Sequence, residues 1–140
     1  MKKAIIVAPS YLGKYLLFKI ESNGKIRYEF SKGLQKNNES LFVTALKTLK
    51  EQTNLKPNIS IQLKEIMFPA TLDMKVLGYL TEVEDASELH IKGNRKYKWV
   101  TFQELKELVA NGQIIDSLTL SVICKIFCTR SYKKIKKLRL

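Results

Sequence analysis

The sequence predicts an α+β (mixed α/β) fold, and three observations predict it. Short apolar runs with strand character recur at Ala4–Val7, Tyr15–Ile20, Ile26–Phe30, Ile59–Met67 and Met74–Val83. A single helical pattern, Glu39–Thr53, interrupts them. Helical patterns then close the chain, so the order is not a regular alternation of strand and helix.

A chain of 140 residues fits one domain with one core, taken as residues 1–140 with a basic tail at 130–140. Apolar residues make up 45% of it, enough to fill such a core. No apolar run approaches the ~20 residues that span a bilayer, so no membrane partner is expected. The start resembles an export signal only superficially, because its apolar stretch is limited to Ala4–Ala8. It reads as a first strand.

Within the first hairpin, Ser22-Asn23-Gly24-Lys25 supplies a turn, since Asn-Gly readily takes positive φ angles. Ser31–Asn38 is polar, contains Gly33 and reads as a loop. In the central helix Leu41, Phe42, Ala45, Leu46 and Leu49 recur at three- and four-residue spacing, with Asn38 as N-cap, Glu39 in the first turn and Asn54 as a left-handed stop. Along Ile59–Met67, Ile59, Ile61, Leu63 and Glu65 alternate with Ser60, Gln62 and Lys64. Phe68–Thr71 reads as a turn and Glu84–Lys96 as a polar connection to a strand at Tyr97–Val100. Thr101-Phe102-Gln103-Glu104 is a capping box for a helix ending at Asn111-Gly112, and Asp116 caps the last helix.

Lys and Arg number 25 against 13 Asp and Glu, a formal charge of +12, which favours polyanionic partners. Arg130–Leu140 concentrates positive charge without any carboxylate. It is either a solvated helix end or a contact for nucleic acid or phosphate. Cys124 and Cys128 sit four apart in an apolar helical pattern and read as buried reduced thiols of a cytoplasmic protein. His90 is the only His and reads as exposed; Trp99 reads as core. No Ser or Cys nucleophile motif is present.

The informative stretch is Phe30–Leu55, FSKGLQKNNESLFVTALKTLKEQTNL. It holds Gly33, five residues, Glu39, seven residues, then Lys47-Thr48-Leu49-Lys50-Glu51-Gln52-Thr53-Asn54-Leu55. This spacing resembles the box of the Nudix (MutT-like) pyrophosphohydrolases, in which an Arg and three Glu stand at the positions of Lys47, Thr48, Glu51 and Gln52. Trp99–Leu105 with Ile115–Leu120 is similar to the closing segment of the relatives that act on ADP-ribose and nucleotide sugars. The resemblance implies a Nudix-type α/β/α sandwich: a mixed sheet, one central box helix and C-terminal helices. It also implies a nucleotide or nucleoside diphosphate derivative as ligand, and many relatives in the family form homodimers.

A helix following a Gly-containing loop points backbone N–H groups at anions, and carboxylates at positions 48, 51 and 52 would share one face. Such carboxylates hold Mg²⁺ or Mn²⁺, which bridge diphosphate oxygens and activate water. Thr48 and Gln52 replace two of them with neutral, weaker ligands. The resemblance assigns Glu51 and Lys47 to catalysis, Glu51 and weakly Gln52 to metal, and Gly33, Lys32 and Glu39 to ligand binding. The family's additional Glu is absent from Ile91–Lys98, although Glu82, Glu84, Asp85 and Glu88 lie just before it. Lys92, Arg95 and Lys96 are placed there to meet phosphates directly. Selectivity is expected from the loops Pro9–Lys14 and Glu84–Lys96. Three readings stand at this point: a Mg²⁺- or Mn²⁺-dependent pyrophosphohydrolase with weakened catalysis, a cofactor-free module binding nucleotide or RNA, and a protein-interaction scaffold.

Overall fold

The computed structural model describes residues 2–67 and 73–138, the side chains of 67 and 132–138 excepted. The strands are β1 (Lys2–Tyr11), β2 (Lys14–Ser22), β3 (Lys25–Glu29), β4 (Ser31–Leu34), β5 (Pro57–Gln62), β6 (Ile66–Met67), β7 (Met74–Val83) and β8 (Tyr97–Thr101). The helices are α1 (Leu41–Thr53), α2 (Phe102–Ala110) and α3 (Ser117–Leu138). The turn expected at Phe68–Thr71 lies outside the described residues.

All the strands join one mixed sheet, ordered β3-β2-β1-β7-β5. Strand β4 lies beside β1, β6 beside β7 and β8 beside β2. Among the described residues only β1 and β7 pair in parallel, from Lys2↔Met74 to Ser10↔Glu82. Both are buried on two faces, which is why they read as unbroken apolar runs. Ile5, Val7, Leu77 and Tyr79 pack with Ala45 and Leu49 of α1. On the opposite face Ala4, Ile6 and Val76 pack with Leu105 of α2 and Val122, Ile123 and Ile126 of α3. The layers are therefore α/β/α.

The local signals hold where the chemistry is local. Asn23 and Gly24 have φ of 52° and 73°, as the hairpin requires. Both bonds of the Thr101/Glu104 capping box form. Asn54 takes φ 61°, and its N–H donates to the Lys50 carbonyl. Asp116 Oδ2 accepts from the Thr119 N–H (2.9 Å) and hydroxyl (2.8 Å).

Several expectations are corrected. Ser31–Leu34, expected as part of a loop, is strand β4, paired with β1 from Ala4↔Leu34 to Val7↔Ser31. An open edge on the apolar strand β1 overrides the weak intrinsic preference of a Gly-containing segment. Helix α1 is capped by Ser40, not Asn38, and Glu39 lies outside its first turn. Asn37 and Asn38 occupy positive φ, whereas a cap needs the extended backbone that Ser40 has.

The loop expected at Pro9–Lys14 shrinks to Leu12-Gly13, because β1 continues to Tyr11. Pro9 falls between the stretches of β1 paired with β4 and with β2, so its missing N–H costs no ladder bond on that side. The run Ile59–Met67 breaks into β5 and β6, and Ile59 and Ile61 are exposed on an edge. Leu63 turns into the core, its N–H donating to the Gly78 carbonyl (2.8 Å). Cys124 and Cys128 are exposed free thiols rather than buried ones, because the inward stripe of α3 runs through Thr119, Val122, Ile123 and Ile126. The basic tail continues α3 as helix to Leu138.

Two contacts lock the layers. A Cβ added at Gly33 would collide with Thr48 Oγ1, and would stand 3.3 Å from both Thr48 Cβ and Cγ2. With Thr48 opposite it, position 33 therefore has no room for a larger residue. Across the sheet, Lys32 Nζ bonds Asp116 Oδ1 (2.8 Å) and Glu29 Oε1 (2.8 Å), while the Phe30 N–H donates to Thr119 Oγ1 (3.2 Å). Burial opposes the charge of Asp116, but Lys32 and Thr119 outweigh it and hold its carboxyl below the usual range.

Gly33→Ala is expected to destabilise the fold by about 1–3 kcal/mol in urea denaturation, through overpacking. Thr48→Ala in the same chain is expected to restore most of that loss, a non-additivity that a double-mutant cycle reads directly. Because the folded Asp116 carboxyl is depressed, its contribution is complete above the unfolded pKa of about 3.9 and disappears as pH falls through the lower folded value. Asp116→Asn should accordingly lower the urea midpoint at neutral pH and flatten its decline between about pH 5 and 2.

Candidate functional site

The stretch singled out in the sequence becomes β4, a turn through Gln35–Ser40, and α1, which returns over β4. The Lys47 ammonium pairs with the Glu39 carboxylate. This pair fastens the turn to the second turn of α1. Glu39 is largely covered there, and Lys47 stays exposed.

Positions 48 and 52, one helical turn apart, both face β4. Thr48 is buried against Gly33, and Gln52 Nε2 donates to the Lys32 carbonyl (3.1 Å). Gln52 Oε1 is buried with no partner among the described residues, as is the Ser31 hydroxyl. Glu51 is exposed and, among the described residues, no side chain is bonded to it. The face expected to gather positions 48, 51 and 52 thus gathers 48 and 52 and leaves the one carboxylate outside.

This donor set does not fit a hard divalent cation. A buried hydroxyl and an amide already bonded to backbone cannot stand in for carboxylates. Among the described residues no group of three or more His, Cys, Asp or Glu converges. Of the acids just before that connection Glu84 is exposed, and the others lie with other partners. Asp85 caps the short turn Ala86–Glu88, its carboxyl held below the usual range by the Ser87 hydroxyl and N–H. Glu82 accepts from Asn58, and Glu88 sits with Lys50 and Lys56 at the far end of α1.

Lys32, expected to bind ligand, is instead held across the sheet by Glu29 and Asp116, whose bonds outweigh its burial and raise its pKa. The connection before β8 is tied to the end of α1, where the His90 N–H donates to the Thr53 carbonyl (2.9 Å) and Asn54 Nδ2 to that of Glu88 (3.3 Å). His90 itself is exposed, as expected. Lys92, Arg95 and Lys96 are exposed as well, and the Arg95 guanidinium lies 4.0 Å from the centroid of the buried Phe18 ring. Trp99 is half-buried and packs against the core beneath α1.

Arg95 and Lys96 do not stand alone. They share a shallow depression of about 430 Å³ with Lys19, Tyr28, Tyr97 and Lys98, and it adjoins a second of about 290 Å³ lined by Lys19, Glu21, Asn94, Arg95 and Lys96. Sequence reasoning missed Lys19, Tyr28, Tyr97 and Lys98. They come from three strands, and only the Tyr97-Lys98-Trp99 run mixes basic and aromatic residues visibly.

Among the described residues, no helix is long and apolar enough to cross a membrane. No protein-family model and no curated protein matches the chain. Solved structures do: a Nudix hydrolase from Nitrosomonas europaea superposes with a TM-score of 0.69 at 14% identity, covering 91% of this chain and 89% of that one. The Nudix-type α/β/α sandwich expected from the sequence is the fold of this chain.

Proposed function

We propose that this Nudix-fold chain binds a nucleotide-type ligand, a nucleoside diphosphate derivative of the ADP-ribose or nucleotide-sugar kind, and holds its phosphates by side-chain cations instead of hydrolysing it with metals. One observation carries this reading. The side chains at positions 48 and 52 are committed to β4, and Glu51, the one carboxylate among helix positions 48, 51 and 52, is exposed with no side chain bonded to it among the described residues. A lone carboxylate on a solvated helix face does not concentrate the charge that Mg²⁺ or Mn²⁺ needs. The basic loop with Arg95 and Lys96 offers the opposite electrostatics: permanent cations that neutralise phosphate directly.

The test has two arms. With ADP-ribose or a nucleotide sugar and Mg²⁺ or Mn²⁺, no metal-dependent release of phosphorylated product is expected; turnover abolished by Glu51→Gln would overturn the reading. In EDTA, ligand at about 100 times Kd should raise the thermal midpoint by roughly 5–10 °C, as mass action on the folded state requires. A shift that needs added metal defeats it equally. Thr48→Glu with Gln52→Glu is expected to cost stability, because the first of these carboxylates is forced against Gly33.

A further inference from the structure

Helices α2 and α3 cover the face of the sheet opposite α1. Phe102, at the start of α2, meets Phe127 of α3, with ring centroids 6.2 Å apart and planes within 9° of parallel. The last turn of α2 leads through a short connection into the first turn of α3, so the two helices run in opposite directions. Each turns a stripe of helical spacing toward the other: Phe102, Lys106 and Val109 on α2, and Leu120, Ile123, Cys124 and Phe127 on α3. A depression of about 290 Å³ lies between the stripes. It is open to solvent, for Phe127 is 48% exposed and Cys124 is an exposed free thiol.

The charge around this groove has one sign. Its lining holds a cation and no carboxylate. The Lys106 ammonium lies 5.6 Å from the centroid of the Phe102 ring, and the Arg130 guanidinium lies 4.6 Å from the same centroid. Both residues are exposed, and neither is paired with a carboxylate among the described residues. Their stems rest on the aromatic floor while their charges stay in water, available to an anion from outside.

We infer that this groove is the docking site of an amphipathic helix from a partner protein, with apolar side chains at i, i+4 and i+7 seated between α2 and α3 and carboxylates beside them meeting Lys106 and Arg130. Two antiparallel stripes form the cleft into which the ridge of a third helix packs. From Leu120 to Arg130 the groove is about 15 Å long, three turns of such a helix. The apolar floor with a charged rim has the anatomy of a protein interface, and the rim selects an acidic partner. A second copy of this chain is the wrong sign, because groove against groove would oppose two Lys106–Arg130 pairs on chains that each carry a formal charge of +12. A bilayer surface would meet the cations and leave the depression unfilled. None of these residues lies on the α1 face or on the connection before β8, so the inference is independent of the proposed nucleotide ligand.

A displayed library of helices about 15 residues long tests this, with Leu fixed at i, i+4, i+7 and i+11 and the flanking positions drawn from Glu, Lys, Gln and Ala. Selection on the full chain should enrich Glu at the flanks. The selected peptides, labelled for fluorescence anisotropy, should bind with Kd of about 10 μM or tighter. Bound peptide should slow alkylation of Cys124 at least tenfold, read by peptide mass mapping. Phe127→Ala should weaken binding about tenfold, as the loss of a central aromatic anchor does. Lys106→Glu should weaken the Glu-flanked peptide to a similar degree and favour its Lys-flanked counterpart. Lys50→Glu, the same charge change on exposed α1, should alter either peptide less than threefold.

Circular dichroism confirms that each variant is folded, and the surface change Lys106→Glu tests the groove even where Phe127→Ala costs stability. No enrichment, or enrichment without preference for Glu, overturns the inference. Cys124 alkylation unaffected by bound peptide overturns the groove as the place of binding. Equal losses for Lys106→Glu and Lys50→Glu overturn it in favour of diffuse charge. A dimer in sedimentation that Phe127→Ala dissolves assigns the groove to a second copy instead. Phosphatidylserine vesicle binding lost in Phe127→Ala, without peptide binding, assigns it to a membrane surface.

Discussion

Helix α1 lies so close to strand β4 that Gly33 can carry no side chain, and this contact decides what the box positions can do. Thr48 fills the space facing the glycine, and Gln52, one turn later, reaches the β4 backbone. Both side chains are spent on holding helix to sheet. Positions that carry carboxylates in the Nudix box are packing residues here. The Glu39–Lys47 pair serves the same end from outside, tying the preceding turn to the helix without contributing to a cation site.

The second lock lies on the other side of the sheet. Lys32, Glu29, Asp116 and Thr119 join β4, the bend at Phe30 and the first turn of α3 in one polar cluster. Charge buried this far is stabilising only when its partners stay in place, so the cluster makes the position of α3 depend on that of β4. Lys32 is thereby withdrawn from ligand chemistry. The cations left to act are those on the connection before β8 and on the strands beside it.

Metal-dependent phosphate chemistry gathers carboxylates so that a divalent cation can bridge them to the ligand. Here the acids near the box are exposed, capping or paired, while Lys19, Lys98 and Tyr28 share one face of the sheet beside the basic connection before β8. Net charge alone did not locate that surface, because a charge of +12 spread over 140 residues says nothing about where cations meet rings.

What the sequence determined by itself was whatever depends on neighbours in the chain. The Asn23-Gly24 turn, the Thr101/Glu104 capping box, the Asn54 stop and the Asp116 cap all follow from short-range hydrogen bonding and φ preference, and the apolar runs of β1 and β7 from two-sided burial. The box spacing was legible because register along a helix is local as well. Tertiary structure decided the rest. Ser31–Leu34 became a strand because β1 had an open edge, the outer side of α3 exposed both cysteines, Lys32 found Asp116 far away in sequence, and Lys19, Tyr28 and Lys98 came onto one face only once three strands were aligned. Pairing partners and which face of an element is covered are properties of the assembled sheet, and no window of sequence contains them.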